Sequence, residues 1–325
     1  MATVRFVLIR LLKGAAVLLA IAALNFFLIR AAPGDPASVL AGEAGASDPI
    51  YLEQLRQRFG LDRPVIEQLA IYMKNIATLD FGFSARNNRP VLDMIMERLP
   101  ATLLLTGAAF VMSLIMGVVL GVLAAVKVGR ISDTLITLFA LIFYATPLFW
   151  VALMGQVVFA LKLGWLPNIG YVTVGADLTG LAYVTDVALH LVLPAMTLAL
   201  FYMALYARIM RASTLEVSGA DFIKTARAKG LPEGYITRRH VARNAILPVV
   251  TLAGLQAGQI VGGAVLIETI FAWPGIGRLM FDALTQRDYQ VLLGVFFCSS
   301  ALVVLFNIIT DVVYRIADPR IQMKA

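Results

Sequence analysis

Charge is scarce in this chain. Of its 325 residues only 14% are Asp, Glu, Lys or Arg, against about 25% in a soluble domain. A surface so poor in charge does not face water on all sides. With 60% hydrophobic side chains and a mean hydropathy of +0.84, the chain falls in the membrane class. Cysteine occurs once, and Cys298 lies inside an apolar run. No disulfide framework or cysteine metal site can be built from it, and the redox compartment is not readable. The two histidines, His190 and His240, fall on opposite sides of the membrane in the topology derived below, whereas a zinc site needs three or four clustered ligands. Neither G-x-x-x-x-G-K-[ST] nor H-E-x-x-H occurs, so nothing here cradles nucleotide phosphates in a P-loop or builds a zincin site. Asp80-Phe81-Gly82 mimics a kinase triplet without the accompanying catalytic and glycine-rich loops, and reads as a turn. A net charge of +7 would elsewhere suggest nucleic acid. In a membrane chain the placement of Lys and Arg carries the information instead, because it orients the spans, and no nucleic-acid partner is expected.

What is present is apolar length. A spanning helix needs roughly 20 mostly apolar residues, and such runs occur at Gly14–Ile29, Ala101–Val126, Thr134–Leu161, Val187–Ala207, Ala245–Ile267 and Val291–Thr310. The first has a basic start (Arg5, Arg10, Lys13) like a signal peptide, but Ile29-Arg30-Ala31-Ala32-Pro33 offers no clean cleavage site, and a retained anchor is expected. With the N-terminus inside, Lys127, Arg130, the basic stretch around 224–239, and Arg315, Arg320 and Lys324 all fall on the inner side. The outer loop 163–186 holds no Lys or Arg. Both termini are therefore expected in the cytoplasm. Segment 31–100 carries Leu52, Leu55 and Phe59, then Ile66, Leu69, Met73 and Ile76, at helical spacing. It predicts two short amphipathic helices outside the membrane, separated by Gly60 and Pro64.

Ionisable residues inside membranes are functional candidates by default, yet no carboxylate lies mid-span. His190 and Asp186, Glu268, and Asp311 sit near span ends, and His190 reads as an interfacial side chain bonded within the bundle. Asn25, Gln156, Gln256, Gln259 and Asn307 are uncharged polar groups that suit interhelical hydrogen bonds. Pro147 and Pro194 predict kinks in their spans. A bundle without an energy-converting site can move a solute uphill only if another protein supplies the energy.

Residues 219–251, GADFIKTARAKGLPEGYITRRHVARNAILPVVT, are basic and punctuated. Ser218 with Asp221 forms a capping-box variant. Phe222, Ile223 and Ala226 make an apolar stripe, cations follow toward the helix C-terminus where the dipole favours them, and Gly230 with Pro232 stops the helix. A separate helix of about three turns over 219–230 is predicted, with slim Ala and Gly flanks that another surface could approach. A basic patch for lipid headgroups is the competing reading, but it needs charge rather than caps and stops.

This stretch resembles the EAA loop of ATP-binding-cassette importer permeases, and more narrowly the B-type permease of dipeptide and oligopeptide importers. The other marks are Pro33-Gly34-Asp35-Pro36, Asp80-Phe81-Gly82-Phe83-Ser84, Arg98-Leu99-Pro100-Ala101-Thr102, Ile267-Glu268-Thr269-Ile270-Phe271-Ala272-Trp273-Pro274-Gly275-Ile276-Gly277 and Asp318-Pro319-Arg320. Where the general loop begins Glu-Ala-Ala, this chain has Lys224, Thr225 and Ala226, so a Glu contact at 224 is ruled out. The resemblance implies an all-α membrane protein of the type I importer permease fold: 1–325 as one transmembrane domain of six helices, 31–100 as an extracytoplasmic helical cap, and 208–245 as the cytoplasmic coupling loop. It implies no catalysis and no cofactor in this chain, with ATP and Mg used by two separate ATPase subunits. A paralogous C-type permease, an extracytoplasmic solute-binding protein and a bacterial inner membrane complete the setting. Implied for ATPase coupling are Asp221, Phe222, Thr225, Ala226, Arg227, Ala228 and Gly230. Glu268, Phe271, Trp273, Pro274, Gln256 and Gln259 are the candidates for the substrate path, although Trp273 equally suits an interfacial anchor. Cargo of such permeases ranges over peptides, glutathione, nickel chelates, opines and oligosaccharides. An autonomous channel or secondary carrier is the rival reading. Mid-span charges or inverted repeats with broken helices would mark it, and the sequence displays neither.

Overall fold

Apolar runs of this length become helices because a backbone out of water must satisfy its own N–H and C=O groups. The computed structural model describes residues 2–31, 49–58, 62–84 and 86–317. The motifs at 33–36 and 318–320, and with them Phe59 and Gly60, lie outside the described residues. The order is α1 (Ala2–Ala31), α2 (Pro49–Arg58), α3 (Val65–Ala77), an antiparallel hairpin of β1 (Phe83–Ser84) and β2 (Arg89–Pro90), α4 (Val91–Val126), α5 (Ile131–Ala145) and α6 (Leu148–Gly155). A π-helical stretch, Gln156–Lys162, continues α6. Then come α7 (Gly180–Ser218), α8 (Asp221–Ala228), α9 (Glu233–Tyr235), a second π-helical stretch at Ile236–Val241, α10 (Ala242–Ala245), α11 (Leu247–Ile270), α12 (Ile276–Thr285) and α13 (Tyr289–Ala317). The chain divides into two compact units, residues 1–101 with 275–308, and residues 102–274 with 309–325.

In the first unit, α2 and α3 are the two short helices expected between the first spans, with Pro64 directly before α3. Ile76, Phe81, Val91, Ile95, Ile276, Leu279 and Val295 pack into one apolar core. Asp80-Phe81-Gly82 is a turn: Gly82 N donates to Asp80 Oδ1 at 3.0 Å, and Phe81 is buried. The hairpin that follows leaves no mark in the sequence pattern. It is only two residues per strand, pairing Phe83 with Pro90, too short for a periodic signal. Ser84 Oγ, fully buried, donates to Asp288 Oδ2 at 2.5 Å. The second spanning helix begins at Val91 rather than Ala101, and Pro100 lies inside it. Apolar length locates the membrane portion only, whereas Asp93, Glu97 and Arg98 occupy helical turns outside it.

In the second unit, Gly117 and Gly121 face α7 so closely that a Cβ would lie 2.4 Å from Tyr206 Cβ and 2.6 Å from Ala207 O, respectively. This small-x-x-x-small spacing lets two membrane helices touch backbone to backbone. In the sequence it is Gly117-Val-Val-Leu-Gly121. At the far end of the same contact region, Arg211 grips Asp133 of α5 through two hydrogen bonds, 2.7 and 2.8 Å.

Among the described residues four helices are long and apolar enough to cross a membrane alone, at Leu8–Leu28, Val91–Val126, Gly180–Ser218 and Tyr289–Val312. The other two expected spans are bent pairs: Ile131–Ala145 with Leu148–Lys162 at 105°, and Leu247–Ile260 with Ala264–Ile270 at 52°. Counting each pair as one gives up to six. The sharper bend falls at Thr146-Pro147, where Thr146 is extended (ψ 134°), the conformation that a following proline imposes. Pro194, expected to interrupt its span as well, instead lies within an unbroken α7.

Candidate functional sites: a docked short helix and a buried turn

The loop between α7 and α11 builds its own small core. Ile223 and Ala226 of α8 are buried against Ile236 and Val241, with Val217 and Leu231 beside them. Only those two of the three expected stripe residues point inward. Phe222 is 48% exposed, because consecutive residues on a helix diverge by about 100° and Ile223 takes the core position. The helix spans Asp221–Ala228, just over two turns instead of three, and the capping box does not form. Ser218 Oγ donates to Thr214 O at 2.6 Å, still within α7, and Ala220 occupies the N-cap.

The stop is as expected. Gly230 has φ +76°, Gly230 N donates to Arg227 O at 2.9 Å, and Leu231 N reaches Ala226 O at 3.4 Å. This pair of bonds is the Schellman closure, in which a left-handed residue satisfies the last carbonyls of a helix. Arg227 Nε and Nη2 then donate to Glu233 Oε1 and Oε2 at 2.7 and 3.3 Å, tying α8 to α9 and holding the Glu233 carboxyl below the usual carboxylate range. Asp221, Phe222, Thr225, Arg227, Ala228 and Gly230 all lie on the exposed surface, and of the expected coupling residues only Ala226 faces inward. Lys224 pairs with Asp221 at 2.9 Å, both exposed, a contact worth ~0–1 kcal/mol.

The second constellation lies at the C-terminal end of α11. Glu268 and Trp273 are fully buried and Phe271 nearly so. Thr102 Oγ1 donates to Glu268 Oε1 at 2.6 Å. Trp273 N donates to Glu268 O at 2.8 Å and Ala272 N to Thr269 O at 3.3 Å, another Schellman closure, here with Ala272 at φ +51°. The chain after α6 folds onto this turn. Gly170 N donates to Phe271 O at 2.8 Å, Tyr171 meets the Trp273 ring edge-on at 4.8 Å, and Gln156 Nε2 donates to Asn168 O at 3.1 Å and Ile270 O at 3.4 Å. Asp186 in turn accepts from Thr173 N and Oγ1, both at 2.7 Å, and His190 Nδ1 lies 2.8 Å from Asp186 O. Gln156, read as an interhelical hydrogen-bonding group, bonds two backbone carbonyls of this lattice. Of the path candidates, Pro274 and Gln256 are half-buried and Gln259 is exposed, while Glu268, Phe271 and Trp273 are packed inside the chain. The residues that fasten the turn, Gln156, Gly170, Tyr171 and Thr102, were absent from the candidate set, since nothing in sequence spacing joins them to 268–274. Among the described residues no group of three or more His, Cys, Asp or Glu could hold a metal ion.

Comparison with known proteins identifies the family. Residues 117–323 match the family described as binding-protein-dependent transport system inner membrane component, and residues 3–106 match the N-terminal region of such membrane components. The dipeptide transport system permease protein DppB of Alkalihalophilus pseudofirmus is 39% identical, over 96% of this chain and 98% of that protein. The di/tripeptide transport system permease protein DppB of Pseudomonas aeruginosa is 38% identical, over 92% of this chain and 93% of that one. A solved structure of inward-facing conformations of the MetNI methionine ABC transporter shares the fold, with a TM-score of 0.56 at 19% identity over 69% of this chain and 96% of the other. The chain belongs to the family of binding-protein-dependent transport system inner membrane components.

Proposed function

We propose that this permease subunit forms half of the translocation pathway of an ATP-driven importer for peptides of a few residues, and that α8 is the helix through which separate ATPases drive it. The peptide class rests on the names of the relatives. One observation carries the coupling role: α8 anchors Ile223 and Ala226 in a private core while presenting Phe222, Thr225 and Ala228 outward. A helix pinned on one face and bare on the other can transmit a push.

In this reading the termini and the 208–245 loop are cytoplasmic, and residues 31–100 form an extracytoplasmic cap. The partners are a paralogous C-type permease, two ATPase subunits that bind ATP and Mg, and an extracytoplasmic binding protein. ATP binding closes the ATPases around α8, and the two permeases exchange inward- and outward-open states, provided ATP favours one state over the other. The turn at 268–274 acts as the rigid outer rim, and Gln256, Gln259 and Pro274 supply polar and shaped contacts along the path. The test is reconstitution of the whole assembly in proteoliposomes. Labelled dipeptide should enter only with binding protein outside the permeases' outer face and ATP on the ATPase side. ATP hydrolysis should be absent from this chain purified alone. Uptake by the two permeases without ATPases would instead establish an autonomous carrier.

A further inference from the structure

A groove of about 170 Å³ opens between α5 and α7, with Ala124 of α4 at its base. The two helices run antiparallel there. Asp133 pairs with Arg211 at one end, and Tyr144 stacks on Phe201 at the other, with ring centroids 5.8 Å apart. The groove is therefore graded along its length. Ile136, Ala140, Leu141 and Leu205 line it toward Tyr144, and Arg208 stands at the rim near the Asp133–Arg211 pair. Arg211 is neutralised by Asp133. Arg208, one turn along on α7, is exposed and makes no hydrogen bond or ion pair in the described structure, so its charge is available. Exposed Lys127 and Arg130 precede α5 and extend the positive surface at this end. With α5 entering the membrane from that end, as its apolar length predicts, the cationic rim would lie at headgroup depth and the apolar floor toward the bilayer interior.

We propose that this groove binds one anionic phospholipid, its phosphate on Arg208 and part of an acyl chain laid between α5 and α7. Basic pockets between membrane helices suit anionic headgroups, and a groove graded from Arg208 to an apolar floor matches a phosphate followed by part of an acyl chain. The site stands apart from the coupling surface on α8, and it holds whether or not the proposed transport cycle does.

The test reads lipid retention, not transport. The assembled complex is delipidated, supplied with phosphatidylglycerol or phosphatidylcholine, and examined by native mass spectrometry. Phosphatidylglycerol should be retained preferentially. Arg208→Gln should weaken that retention roughly fivefold, the factor matching about 1 kcal/mol per basic residue beside an anionic surface, and Arg208→Lys should preserve most of it. Because Arg208 is exposed and unpaired, neither variant should disturb folding, which size-exclusion profiles will verify. A photoreactive residue at Thr137 should cross-link to lipid. Unchanged phosphatidylglycerol retention in Arg208→Gln overturns the site. So does displacement of the lipid by soluble glycerol phosphate, which would mark a free-anion site, or a Thr137 cross-link to the partner permease, which would mark a subunit interface.

Discussion

Gly230 shares its task with three residues that are not glycine. Leu79, Ala272 and Arg287 have φ of 57°, 51° and 54°. Each is followed by the same long return bond, from Asp80 N to Asn75 O, Trp273 N to Glu268 O, and Asp288 N to Ala283 O. A left-handed conformation costs a side-chain-bearing residue about 1–2 kcal/mol, so the closures at Ala272 and Arg287 are held by the buried residues that follow them, Trp273 and Asp288. Gly230 sits in open space, where an added Cβ would meet nothing within 4 Å. Gly230→Val should therefore strain the closure by about that amount without any clash inside the chain. Membrane insertion should be normal, and binding-protein-stimulated ATP hydrolysis by the reconstituted complex should fall several-fold; parent-level hydrolysis would show that the closure geometry is irrelevant to coupling. The glycine closure was legible in the sequence because Gly-Leu-Pro after a basic turn has few other uses. The other three were not, since Leu79, Ala272 and Arg287 give no local sign of a left-handed backbone.

At the level of elements, α8 was legible as a helix and its stop was found, but its facing was not. Phe222 and Ile223 are adjacent apolar residues, and the sequence alone does not say which one the core takes. The arrangement separates two effects that are usually mixed. Ile223→Ala should remove about 2–5 kcal/mol of local packing and loosen the whole 219–245 loop, visible as faster proteolysis at its Lys and Arg residues. Phe222→Ala should leave proteolysis at the parent rate and still lower ATPase stimulation, because it strips only the outward face. Equal proteolysis in both variants would mean that Ile223 does not anchor the helix. Full stimulation in Phe222→Ala would place the ATPase contact elsewhere. The same limit governs the prolines. Pro100, Pro147 and Pro194 all lie in apolar helical sequence, yet only Pro147 breaks its span, because Thr146 takes the extended conformation there while the chain around the other two remains helical. Local rules state that a helix is weakened at proline, and the neighbours decide whether it bends.

At the scale of the whole molecule, four of the six expected spans appear as single helices among the described residues and were readable from length, since a bilayer imposes a minimum of roughly 20 apolar residues; the other two are bent pairs. Their direction is a separate matter, carried by Lys and Arg. The contrast is strongest between two loops. Residues 163–179 contain no basic residue, whereas 224–243 contain Lys224, Arg227, Lys229, Arg238, Arg239 and Arg243. An excess of basic residues marks the cytoplasmic side of short loops, so these loops should lie on opposite faces with the basic one inside. The chain's one cysteine, Cys298, is half-buried, and Cys298→Ser gives a clean background for labelling. Val174 is 97% exposed and Arg239 is exposed as well, so Val174→Cys and Arg239→Cys both present accessible thiols. In intact cells with a permeabilised outer envelope, a membrane-impermeant maleimide should label the residue at 174 and leave 239 untouched until the inner membrane is opened. Labelling of 239 from outside would invert the chain, put α8 beyond the reach of any cytoplasmic ATPase, and defeat the coupling proposal at once. Labelling of both from outside would require an even number of crossings between them, so that α7, the single candidate span in that interval, would not cross the membrane.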